Sequence, residues 1–252
     1  NLRLWKVEPR TYPFLHKVLI EKSSKDDEDL FLNISRAAAI REICDLKPHH
    51  GTELVSLISE ILNQSLESKD AEIPAALAID AITILCQNHI INQASTWKAI
   101  NLTTRYEKRP RVVKSLCNFF ALVPKFKRNN SEYEMLMKDI LARIFHMIQW
   151  SDTCGIECAL EALKSWNYDQ LTLDMIPDAF RDGIALPDAP AGMEVSLLDL
   201  EVPGDCYVQL LTKIHPTALR AAGELVSHFM AQEIAEYRSG HYLVKEGQAE
   251  PT

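Results

Sequence analysis

Residues 70–102, DAEIPAALAIDAITILCQNHIINQASTWKAINL, read as one complete helix-turn-helix unit. Pro74 falls in a first helical turn, where a missing N–H costs nothing. Ala78, Ile79, Ile82, Leu85 and Cys86 then recur at spacings of three and four, which gathers them into one apolar stripe. Asn88 to Asn92 interrupts the pattern, and a shorter run places Ala94, Trp97, Ile100 and Leu102 on a second apolar face. Two such helices cannot bury both faces by themselves. They need similar pairs stacked on them, which is the physical logic of an α-solenoid.

The sequence to either side repeats the theme. Thr11-Tyr12-Pro13 opens a helix to about Lys22, with Phe14, Leu15, Val18 and Leu19 as its expected buried face. The run SSKDDED (Ser23 to Asp29) has no apolar period and reads as a solvated loop. Four helix pairs follow, at about residues 30–65, 72–102, 110–149 and 153–181. Their expected core positions include Ala38, Ala39, Ile40, Ile43 and Cys44, then Leu54, Leu57, Ile58, Ile61 and Leu62. In the third pair they are Val112, Val113, Leu116, Phe119 and Phe120, with Met135, Leu136, Ile140, Leu141, Ile144, Phe145 and Ile148 on its long second helix. Ser131 and Glu134 have the spacing of a capping box for that helix. The fourth pair is expected to run from Ile156 to Trp166 and from Leu171 to Phe180.

Aligning the first helices of the four pairs matches Ala39, Ala78, Ser115 and Ala159, at steps of 39, 37 and 44 residues. That is close to the roughly 40 to 47 residues of HEAT and armadillo units, with a small side chain where neighbouring helices would approach. The predicted fold is therefore all-α, a HEAT/armadillo-like solenoid of antiparallel helix pairs over residues 1–182. A Pro- and acid-rich connection at 183–204 interrupts it, further helices fill 205–238 with Leu219, Ala222, Leu225, Val226, Phe229, Met230 and Ile234 on the last, and 239–252 form a tail.

Composition agrees with this class. Of 252 residues 47% are hydrophobic and only eight are glycine, so a core and helix formation are both favoured. The formal charge of −8 opposes a general attraction to nucleic acid or to anionic membranes. Six dispersed cysteines fit a reducing compartment, and there is neither a membrane-length apolar stretch nor a secretory leader, so the cytosol is the expected location. The chain lacks an initiator Met and opens in mid-pattern with Leu2, Leu4 and Trp5, which suggests a piece of a longer protein whose ends pack on further helices.

Chemistry-bearing motifs are scarce. Cys154 and Cys158 stand four apart, but zinc needs two further ligands and no Cys or His pair accompanies them, so no metal is expected. His49-His50 falls in an inter-helix turn and is expected to be exposed. No Gly-rich phosphate loop and no nucleophile–base arrangement is present, so neither a cofactor nor an enzyme is predicted. Trp97, Trp150 and Trp166 come late in helices and read as core anchors. One charge feature stands out: Arg105, Lys108, Arg109, Arg111 and Lys114, with Lys125, Lys127 and Arg128 at the far end of the next helix. Solvated turns are one reading, docking of an acidic peptide another, and an RNA-binding helical repeat the alternative from a different class.

The paired segments AAAIREICDLKPHHGTELVSLISEIL (Ala37 to Leu62) and ALAIDAITILCQNHIINQASTWKAI (Ala76 to Ile100) resemble the corresponding stretch of the focadhesin family, large cytosolic HEAT/armadillo-like repeat proteins of animals and plants. The resemblance implies a non-catalytic protein-interaction scaffold with no active-site residues to carry over. It also implies support of the Ski complex, which feeds RNA to the exosome, and a vinculin-linked place at focal adhesions, with Ski components and vinculin as partners.

Overall fold

The structure is a computed structural model in which residues 2–21, 30–126, 130–186, 196–198 and 200–239 are described. The acidic run at 23–29, Lys127, Arg128 and the tail from 240 lie outside them. The chain divides into two compact units, Asn1–Phe119 and Phe120–Thr252. Both are helical, and among the described residues no strand forms.

The first unit contains α1 (Leu2–Val7), α2 (Tyr12–Ile20), α3 (Leu30–Leu46), α4 (Gly51–Glu67), α5 (Glu72–Gln87), α6 (Gln93–Ile100) and the start of α7 (Pro110–Leu122). Alanine sets its geometry. On α5 the side chains of Ala75, Ala76, Ala78, Ile79, Ala81, Ile82, Leu85 and Cys86 are all buried, so the helix is covered on more than one side, and both α3 and α4 pack along it. Such small side chains let neighbouring helix axes come close while Ile79, Ile82 and Leu85 fill the space between them. Gly51 extends the device: a Cβ built there would meet Leu85 Cδ2 at 2.3 Å and Cys44 Sγ at 3.2 Å, so a side chain at the start of α4 would force the buried Leu85 to shift. On α4 the predicted Leu54, Leu57, Ile58, Ile61 and Leu62 are all buried. On α3 the inward alanine is Ala37, whereas Ala38 faces solvent, because the stripe continues from Ile40 and Ile43 at three-residue spacing.

Helix ends receive explicit partners. Asn92 caps α6 by accepting from Ser95 N at 2.9 Å, and the Arg36 side chain donates from Nε to Leu19 O at 2.9 Å, satisfying a carbonyl at the end of α2. Trp97 of α6 is buried with its ring stacked on Phe119, centroids 6.2 Å apart.

The second unit holds α8 (Ser131–Trp150), α9 (Thr153–Leu163), α10 (Asp178–Arg181), α11 (Gly204–Lys213) and α12 (Leu219–Ser239). Helix α8 packs on α9 and α9 on α12, while α11 packs on α10 and α12. The cap of α8 is Asn130, whose Oδ1 accepts from Tyr133 N at 2.8 Å, rather than Ser131, so the cap lies one residue earlier than the Ser131 and Glu134 signature and is a single side-chain cap instead of a capping box. Asp152 caps α9 through Gly155 N at 2.8 Å.

Residues 171–180 do not form the second helix of a fourth pair. They make a 3-10 turn at Leu173–Met175 and the four-residue α10. Pro177 disfavours helical backbone at Ile176. The N–H groups of Leu173 and Asp174 instead donate to Leu200 O at 2.9 Å and Leu197 O at 3.2 Å, next to an isolated antiparallel bridge between Thr172 and Glu201. The described part of the 183–204 connection is thus hydrogen-bonded to the segment it follows.

Several apolar residues assigned to stripes face solvent. On α2 these are Phe14 and Val18, whereas Tyr12, Leu15 and Leu19 point inward. Leu102, Met135, Leu219, Met230 and Ile234 are exposed as well, and Trp150 is 74% exposed while Trp97 and Trp166 are buried. Phe14, Val18, Met135, Leu219, Met230 and Ile234 each lie on a helix that also buries an apolar stripe, so the apolar face is wider than its buried part.

Candidate interaction surface

The segment between α6 and α7 begins as a turn, Asn101 to Tyr106, and ends where Pro110 opens α7. Two carboxylates organise it. Glu107 Oε1 accepts the backbone N–H groups of Lys108 at 2.9 Å and Arg109 at 2.8 Å, and Glu72, from the first turn of α5, accepts from Arg111 N at 2.7 Å. Both place negative charge on N–H groups at the α7 start, where the helix dipole favours it.

Arg109 faces inward across this arrangement. Its guanidinium meets Glu107 through Nε to Oε1 at 3.0 Å and Nη2 to Oε2 at 2.6 Å, a two-point carboxylate contact. Nη1 then donates to Ser65 O at 3.0 Å and Ser68 O at 2.8 Å, the carbonyls at the end of α4. The Glu107 side chain is only 8% exposed and that of Arg109 18%. Burial works against ionisation of Glu107, but the Arg109 side-chain and backbone hydrogen bonds outweigh it and hold the carboxyl below the usual carboxylate range. The same hydrogen bond holds the proton on Arg109 more firmly, against a smaller opposing effect of burial. Arg109 is therefore a structural tie between the end of α4 and the start of α7.

The other four predicted cations remain outside. Arg105, Lys108, Arg111 and Lys114 are exposed, and among the described residues none of their side chains makes an ion pair. Arg111 and Lys114 share one face of α7, three residues apart, and Arg105 lies over the Tyr106 ring at 5.7 Å. Tyr106 is 81% exposed and Leu102 76%. The basic run in the sequence did not separate Arg109 from its neighbours. A signal was present nonetheless, since Glu107 stands two residues before an Arg that immediately precedes a helix-opening Pro.

Other candidate groups are engaged in packing or dispersed. His50 is half-buried, its ring stacked on Tyr12 at 3.7 Å with Trp5 edge-on at 6.1 Å, while His49 is exposed. Burial, with neighbouring His49, lowers the His50 pKa, and burial beside Glu53 raises that of Tyr12. His16 lies 3.9 Å from Glu53. Desolvation pushes the Cys44 thiol up to about 12 and that of Cys86 to about 11, which keeps both protonated and unreactive. Cys154 is exposed and Cys158 half-buried, and among the described residues no three His, Cys, Asp or Glu side chains gather where a metal ion could sit. A cleft of about 250 Å³ between α4, α5 and α6 is lined by Val55, Ile58, Ile82, Leu85 and Ile100, with no ionisable side chain on its wall. No described helix is long and apolar enough to cross a membrane.

Comparison with known proteins places this geometry in context. Residues 1–163 match the family model described as Focadhesin/RST1, DUF3730. Human (Homo sapiens) focadhesin is 30% identical over 246 residues, 95% of this chain and 14% of the relative. The mouse (Mus musculus) protein is 29% identical over 248 residues and the zebrafish (Danio rerio) protein 27% over 251, with the same coverage. The chain thus spans about one seventh of the length of these relatives, none of whose names denotes a catalytic activity. No solved structure matches it.

Proposed function

The chain belongs to the Focadhesin/RST1 family, and from that membership we propose that it works as a non-catalytic protein-interaction scaffold, one stretch of a longer HEAT/armadillo-like solenoid. The observation that carries the reading is the packing of α3, α4 and α5: the first helices of two consecutive pairs lie along one another, and α4 closes onto the second of them. That is the contact by which a repeat passes its apolar face to the next. The cationic segment at Arg105, Lys108, Arg111 and Lys114 is its docking face, with Arg109 holding the segment in place.

The partners of the whole protein in this reading are components of the Ski complex in the cytosol, in support of exosome-linked RNA decay, and vinculin at focal adhesions. Purified Ski complex and purified vinculin, each offered to the full-length protein and to a version lacking residues 30–122, test it. Loss of either association on deletion supports the reading. Undiminished binding of both would move the docking sites elsewhere and leave this stretch as a spacer.

A further inference from the structure

Among the described residues, Arg105, Lys108, Arg111 and Lys114 have no anionic partner within the molecule, because the nearby carboxylates are spent elsewhere, Glu107 on Arg109 and Glu72 on the α7 N-terminus. No acid occurs between Arg109 and Leu122, so α7 carries uncompensated positive charge in a chain with 35 acidic against 27 basic residues. The segment is also fixed in place, since Arg109 ties it to the end of α4 and Glu72 ties α7 to α5. An anchored cationic display loses little freedom on binding, which favours affinity.

We propose that Arg105, Lys108, Arg111 and Lys114, with the exposed Tyr106 ring and Leu102, form a dock for an acidic peptide segment, rich in Asp and Glu and carrying an apolar residue among them. This rests on the scaffold reading and gives its docking face a ligand chemistry. Carboxylates complement the four cations, while Tyr106 and Leu102 offer apolar surface that a purely electrostatic contact would leave wet. A peptide is favoured over nucleic acid on two counts. A short peptide is felt within roughly a Debye length, about 8–10 Å, and residues 105–114 carry five basic side chains against the single acid Glu107, whereas a long polyanion also meets the net charge of −8. A nucleic-acid strand would further need a row of stacking platforms, and this segment offers one aromatic ring.

The test uses the full-length protein and three fluorescent probes: a short synthetic peptide of Asp and Glu with one Leu and one Phe, a uridine oligonucleotide, and vesicles containing phosphatidylserine. The peptide is expected to bind best and to weaken as salt rises. Reversing all four charges (Arg105→Glu, Lys108→Glu, Arg111→Glu, Lys114→Glu) is expected to weaken it roughly tenfold or more, four exposed charge contacts each contributing a fraction of a decade. Tyr106→Ala gives a smaller loss, with the circular dichroism spectrum unchanged. Should the reversal variant not fold, the milder pair Lys108→Gln and Lys114→Gln is read in the same assay and is expected to weaken binding several-fold. No peptide binding, unchanged binding by the variants, or preference for the oligonucleotide or the vesicles would overturn the proposal. A failed peptide assay alongside partner loss on deleting residues 30–122 would sink the dock and leave the scaffold standing.

Discussion

Residues 37–87 and residues 171–201 show two ways in which apolar sequence becomes structure. In the first region Ile40, Ile43, Leu54, Ile58, Ile79, Ile82 and Leu85 keep helical spacing, and every one of them is buried. In the second, Leu171, Leu173, Ile176 and Phe180 are equally buried, but along turns and a four-residue helix, with the N–H groups of Leu173 and Asp174 donating to Leu200 O and Leu197 O. Burial was specified in both regions, and conformation only where each helix could satisfy its own backbone. Where a proline removes a donor and a neighbouring segment supplies acceptors, tertiary hydrogen bonds decide the backbone.

The largest effect is expected from Ile79→Asp. Residue 79 is fully buried between helices, and an unpaired carboxylate there costs several kcal/mol, enough to unfold a marginal domain. Loss of the far-ultraviolet helical signal, beside a well-folded Leu198→Asp control at a 57% exposed position, measures the contrast between the regions. A folded Ile79→Asp protein would mean that the tight packing of α3, α4 and α5 is misassigned.

Arg109→Met comes next. It strands the Glu107 carboxylate and leaves the Ser65 and Ser68 carbonyls without their donor, for about 3 kcal/mol by urea denaturation. The double variant Arg109→Met with Glu107→Gln should recover part of that. Because the folded-state pKa of Glu107 is depressed, its contribution is present above the ordinary carboxylate pKa and fades as pH falls through the lowered value. The pH dependence of stability at the acid end should therefore flatten in Glu107→Gln.

Gly51→Ala drives a methyl group into Leu85 and Cys44 and is expected to cost about 1–3 kcal/mol. Pro177→Ala probes the irregular region. Since Leu173 and Asp174 keep their bonds to Leu200 and Leu197, helical content should stay constant and stability fall by about 1 kcal/mol or less. A gain in helix would show that proline alone blocks the pairing.

The smallest change concerns His50, whose ring faces Tyr12, Trp5 and His49, with Lys47 and Glu53 nearby. Its lowered pKa means that stability is intact above the ordinary histidine value and declines as pH drops below it. His50→Gln should remove that slope, as read from melting temperature against pH.

These contrasts also mark what the sequence could convey. Periodicity located the inner faces of α4 and α7, and on α5 it found one stripe of a helix that is covered on more than one side. It misassigned Phe14, Val18, Met135, Met230 and Ile234, which extend an apolar face beyond its described neighbour, and amphipathicity does not record whether a neighbour exists. Trp150 misled for a simpler reason: late position in a helix says nothing about which way the last turn faces. The cationic segment was visible as charge, but the inward turn of Arg109 depends on Ser65 and Ser68, some forty residues earlier, and no local pattern reports such a contact.

That inward turn has a consequence for reading natural variation. Five neighbouring basic residues look interchangeable, yet a lysine at position 109 could not reach a carboxylate and two carbonyls at once, because its ammonium is a single point rather than a planar fork. Replacements at Arg109 would therefore be met by cellular quality control and appear as reduced abundance of the whole protein. Replacements at Arg111 or Lys114, a turn away, would leave the amount of protein untouched. A cohort of variants in this short segment would then fall into two phenotypes, separable by an immunoblot before any partner is known.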